Sequence, residues 1–180
     1  MNTSEVKLLY DYNYWANGRL LGAASKVSPG QYAAATNFGI GFKSLRGTLI
    51  HIVDAEWGWR LRWETFLKAP LSANESDAAD LTEAQLPTLS TLQERWREEE
   101  TAMRACIGKL SDEQINGIVR YPTPTGLVRE RLLWHSLLHL VNHGSQHRGE
   151  AAALLTTYGQ SPGELDFNVF LNEHFHLPSA

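Results

Sequence analysis

The chain predicts an all-α protein, an antiparallel four-helix bundle with a short extended or hairpin segment before the last long helix. Three observations carry this. Four long stretches repeat apolar residues at three- and four-residue steps, nothing alternates long enough for more than a short strand, and Pro, Gly and small polar residues mark the connections. At 180 residues, a single domain over 1–180 is expected.

The first helix is expected from Thr3 to Lys26, on Val6, Leu9, Tyr10, Ala16, Leu20, Leu21 and Ala24, with Val27-Ser28-Pro29-Gly30 ending it. Residues Tyr32 to Gly41 read as a connection. Phe42 to Lys68 forms the second pattern, rich in aromatics (Trp57, Trp59, Trp63, Phe66), and Pro70 with Ser72 to Asp80 makes a loop. Thr82-Glu83-Ala84-Gln85 fits a capping box, although Pro87 allows a later start. The third helix then runs on Leu89, Leu92, Trp96, Met103, Ile107 and Leu110, with Arg95, Arg97 and Glu98 to Glu100 on the wet side. Ser111 to Gln114 suggests a capped helical turn, and Ile118 to Gly126 at most a short hairpin. The last long helix is flanked by Arg131 to Leu133 before and Ala151 to Leu155 after, and Tyr158-Gly159 stops it. A short apolar set (Leu165, Phe167, Val169, Phe170, Leu171) remains in the tail.

Composition narrows the function classes. The formal charge is -4 and the pI about 6.0, with no basic stripe, so a nucleic-acid partner is not expected. Cys106 is the only cysteine, which excludes an intramolecular disulfide and suits a reducing compartment. The N-terminus lacks a signal-peptide pattern and no apolar run nears ~18 residues, so the expectation is a cytoplasmic protein without membrane contact.

Chemistry concentrates in the last helix. Four histidines, His135, His139, His143 and His147, follow one another at four-residue steps. Each step drifts by ~40° round a helix, so His143 and His147 can converge on one point while His135 and His147 cannot. Leu132, Ser136, His139, His143, His147, Glu150 and Leu154 share one arc. In the second helix His51 is surrounded on its own arc by Ser44, Gly47, Ala55 and Gly58, small residues that leave room beside an imidazole. A bound cation is one way to satisfy such a cluster; hydrogen-bonded core structure is another. Asp54 and Glu56 splay away from His51 and read as solvated, and Asn142 and Arg148 lie off the arc and read as surface or interface.

Trp15-Ala16-Asn17, Leu49-Ile50-His51 and above all Leu140 to Gly149, written LVNHGSQHRG, resemble the DinB family of the DinB/YfiT-like superfamily, and Gly126, Gly159, Pro162 and Asp166 fit the same pattern. The resemblance implies a four-helix bundle, often dimeric, with one divalent metal ion per chain held by His51, His143 and His147, and it implies that Asn142 and Arg148 matter for packing or substrate although geometry alone reads them as surface or interface. Zinc or nickel leads, with iron or manganese if a carboxylate joins. Glu150 stands where the family usually has glutamine, as an acceptor beside the pair, a base or a further ligand. Three neutral imidazoles leave an open coordination position. The superfamily's use of low-molecular-weight thiols points to an S-transferase or a hydrolase acting on a small-molecule substrate; the alternative is a metal- or small-molecule-binding protein without turnover. His139, Trp15 and Trp59 are candidates to wall the pocket. Leu137, Leu138, Val141 and Leu155 form a second apolar face on the last helix, which suggests a homodimer.

Overall fold

A computed structural model describes residues 1–36, 42–68, 80–123 and 125–175. The protein is mostly helical, with seven helices and one two-stranded sheet among the described residues: α1 (Thr3–Ala24), α2 (Pro29–Ala33), α3 (Leu45–Lys68), α4 (Leu89–Ile107), α5 (Asp112–Ile115), β1 (Ile118–Pro122), β2 (Val128–Leu132), α6 (Leu133–Thr157) and α7 (Phe167–His174). The expected loop around Pro70 and residues 72–79 lies outside the described residues, as do residues 37–41 of the connection before Phe42.

Local capping explains the helix starts. Asn2 and Glu5 close a capping box on α1, and Ser111 and Gln114 close one on α5. Ser28 caps α2 with Pro29 at its first turn, so the segment expected only to terminate the first helix also begins a second, short one. The Thr82–Gln85 box forms, but it closes a single turn. The third long helix begins instead at Leu89 under its own cap, Thr88 with Thr91, just past Pro87. At the end of α6, Gly159 (φ 73) takes the left-handed conformation. Its N–H donates to Thr156 O and that of Gln160 to Leu155 O, closing a Schellman motif.

The hairpin is real and longer than expected. β1 and β2 pair antiparallel from Ile118↔Leu132 to Pro122↔Val128. Arg131 and Leu132, assigned to the last helix from sequence, therefore lie in a strand, and β2 passes directly into α6. The Leu133 amide donates to Gly117 O, fixing where α6 starts.

The long helices pack in a closed circuit: α1 on α4 and α6, α3 on α4 and α6. Val6, Tyr10, Trp63, Met103, Leu137 and Leu140 fill one end of the core, and Leu20, Leu49, Ile52, Leu92, Trp96 and Leu155 the other. Contact with both α1 and α3 covers the face of α6 that suggested a dimer. Leu137, Val141 and Leu155 are buried within the chain itself, and only Leu138 remains exposed. Glu99, placed on the wet side from sequence, is buried too. Arg60 grips it through Nε and Nη2 at 2.5 and 2.9 Å, a bidentate pair that offsets the desolvation of the carboxylate in part. No described helix is long and apolar enough to cross a membrane.

Candidate metal centre

Where α3 crosses α6, His51, His143 and His147 come together, each offering a ring nitrogen within 4.8 Å of the others. His51 Nε2 and His143 Nε2 are 3.1 Å apart. Nitrogens sharing a tetrahedral ion at the usual ~2.0–2.1 Å would be separated by roughly 3.3 Å, so the donor set fits a divalent ion. The rings meet edge to face, with centroids 4.5 to 4.9 Å apart. Burial first, then the His147 ring, pull both His51 and His143 down to about 4. At neutral pH both are uncharged, the form that binds metal. His143 Nδ1 is buried and has no hydrogen-bond partner among the described residues.

Glu150 stands one turn beyond His147, its Oε2 2.7 Å from His147 Nδ1. A carboxylate there favours the Nδ1–H tautomer and leaves Nε2 as the lone-pair donor. On the other side Phe42 stacks on His51 (centroids 3.9 Å) and meets the edge of His147 (5.5 Å). The sequence placed Phe42 inside the second helix. In the structure it precedes that helix, and Lys43 turns the chain through a left-handed φ of 55°. Gly47 makes the approach possible, since a Cβ there would lie 2.7 Å from Phe42 O.

His139 and Trp59 lie beside one another (5.5 Å), and His139 is 5.8 Å from His143. They line a pocket of about 320 Å³ with Tyr121, Arg131, His135 and Ser136. Trp15 is elsewhere. It packs on Phe170 and Tyr12 and donates to Glu173 of α7, away from the Trp59 wall, because its face of α1 is covered by the C-terminal helix.

Two residues read as surface are among the most deeply buried polar groups. Arg148 is 1% exposed and Glu56 2%. Arg148 Nη1 donates to Asn13 Oδ1 (2.5 Å) and Asn17 Oδ1 (2.9 Å), and both amides pass on the contact by donating to Glu56 Oε1 at 2.8 and 3.0 Å. Trp96 Nε1 donates to Glu56 Oε2. Cation, two amides and carboxylate thus join α1, α3, α4 and α6 next to the histidines. Asn13 and Asn17, four apart on the apolar side of α1, are the available clue in the residues themselves; the contacts that tie Glu56 and Arg148 to them span 39 to 135 residues and leave no local pattern. Asn142 is exposed, as read.

The model of the DinB family matches residues 1–174. Protein DinB of Bacillus subtilis (strain 168) is 27% identical over 167 residues, covering 91% of each chain.

Proposed function

The chain belongs to the DinB family, and from that membership and the three converged imidazoles we propose a divalent-metal-dependent enzyme with His51, His143 and His147 as ligands. The observation that carries the reading is the 3.1 Å approach of two neutral imidazole nitrogens beside a third ring whose far nitrogen is already engaged by Glu150. When bound, a divalent ion on three imidazoles supplies Lewis acidity, which favours the ionised form of a thiol or water brought to it.

The protein's own groups divide the remaining work. Glu150 holds His147 in one tautomer, Phe42 shields one side of His51 from water, and the pocket beside His139 and Trp59 admits the substrate. Because Glu150 is engaged on His147 Nδ1, the first ligands are nitrogens, which favours zinc or nickel over iron or manganese. Burial pushes the Cys106 thiol up to about 11, so the chain offers no thiolate of its own and the nucleophile arrives from outside. A low-molecular-weight thiol as co-substrate gives an S-transferase; water gives a hydrolase. The circuit α1–α4–α3–α6 supports reading the architecture as a four-helix bundle.

The test is elemental analysis of protein purified without an affinity tag, followed by a panel of small thiols with electrophilic acceptors. One ion per chain, lost on Ala substitution of any of the three histidines, and metal-dependent turnover are expected. Metal retained in all three variants overturns the assignment, and stoichiometric metal without turnover identifies a binding protein.

A further inference from the structure

The pocket beside the histidines has a consistent chemical character. Its walls are Trp59 and Tyr121, edge to face at 5.3 Å, and its polar lining is Arg131, His135, Ser136 and His139. No carboxylate is among these residues. That is notable in a chain of net charge -4. Ser136 is already satisfied: its hydroxyl donates to Leu133 O and accepts from Trp63 Nε1, so the floor asks nothing of a ligand. Arg131 is different. Its Nε donates to the Tyr121 hydroxyl at 2.9 Å, which ties the side chain to the aromatic wall, and among the described residues its terminal nitrogens have no hydrogen-bond partner. His135 and His139 are exposed at the same mouth. Every polar group without a partner inside the pocket can donate a hydrogen bond or carry positive charge.

We infer that this pocket, framed by Trp59, Tyr121 and Arg131, binds a small substrate with a flat apolar body and a carboxylate. The fork of Arg131 suits the two oxygens of a carboxylate, and the aromatic faces suit a planar, unsaturated skeleton. A volume of about 320 Å³ limits the ligand to a small molecule. Bound with its carboxylate on Arg131, such a molecule directs its other end past His139 towards His143. The inference rests on the proposed metal centre for its link to catalysis, while the pocket stands on its own residues.

Calorimetric titration tests it with phenylacetate and its neutral counterpart phenylacetamide, each against metal-stripped and metal-loaded protein. Phenylacetate is expected to bind both forms, about tenfold or more tightly than the amide, the scale of a charge-assisted hydrogen bond. Arg131→Gln, a change at an exposed side chain, should abolish that preference and leave the melting temperature unaltered. Equal binding of acid and amide by the wild-type protein overturns the inference. So does acid binding confined to the loaded form, which would place the carboxylate on the metal. Because the stripped protein carries the decisive arm, failure here is distinct from failure of the metal assignment, which the elemental analysis reads separately.

Discussion

Glu150 and His147 share a hydrogen bond of 2.7 Å between Oε2 and Nδ1, one helical turn apart on α6. The bond sets which nitrogen of His147 carries the proton and so which one faces His51 and His143. Glu150→Ala removes this orientation without removing a ligand. Metal affinity, measured by competition with a chelator, should fall about 10- to 100-fold. Glu150→Gln, which keeps an oxygen able to accept from Nδ1, should lose less. Unchanged affinity in the Ala variant would remove Glu150 from the site.

Metal removal has a thermal signature. An ion bound to the folded chain alone stabilises it by mass action, about 2.7 kcal/mol when free metal stands at a hundred times Kd. Zinc or nickel added to stripped protein should therefore raise the melting temperature, and chelator should reverse the rise. His51→Ala should abolish the effect, because among the described residues His51 is the ligand that α3 contributes to the centre. A shift that persists in that variant would mean the ion binds at another place.

The metal-stripped protein should also lose stability in acid, with a definite sign. His51 and His143 are held at about 4 in the fold, against an ordinary value of 6.5. Between those values the unfolded chain takes up more protons, so each histidine destabilises as pH falls through the window. Glu56 works the other way: burial pushes its carboxyl up to about 7 from 4.5, so in that range the folded form holds the extra proton. Two histidines against one carboxyl leave a net acid loss. In Glu56→Gln the opposing group is gone, and the fall in melting temperature from pH 6.5 to 4.5 should be steeper than in wild type. A shallower fall would reverse the assignment. Three donors face the Glu56 oxygens, and Gln offers them a single oxygen in place of two, so Glu56→Gln should lower stability near neutral pH as well.

What could be read in the sequence was local. Capping pairs such as Asn2 with Glu5, the Gly159 stop and the four-residue histidine spacing act within one or two turns, so they are written in adjacent residues. The meeting of His51 with His143 needs α3 to cross α6 and became an expectation only through a family resemblance. Sequence alone puts Glu56 and Glu99 on the outside because charged residues usually are, and Arg148 there because it lies off the histidine arc. Their burial depends on Asn13, Asn17 and Arg60, distant partners that no periodicity reveals. The apolar far side of α6 has an account within one chain: a helix with neighbours on two sides is apolar round much of its surface.

Two glycines of α6 offer a comparison of opposite sign. Replacing an interior helical glycine by alanine should by itself stabilise by about 1 kcal/mol. At Gly149 a Cβ meets nothing within 4 Å and the residue is exposed, so Gly149→Ala should show that gain. At Gly144 the Cβ would stand 2.8 Å from Arg148 Nη1 and 3.2 Å from Asn13 Oδ1. Arg148 cannot yield easily, since Asn13, Asn17, Ser145 and the Val141 carbonyl all hold it. Displacing it weakens buried hydrogen bonds to a charged group, each worth about 1.5–3 kcal/mol, which exceeds the helix gain. Gly144→Ala should therefore destabilise by about 1–3 kcal/mol, lowering the melting temperature by roughly 2–4 °C for each kcal/mol. Equal melting temperatures for the two variants would show that Arg148 moves freely, and with it that the buried network does not fix α6 against α1 and α3.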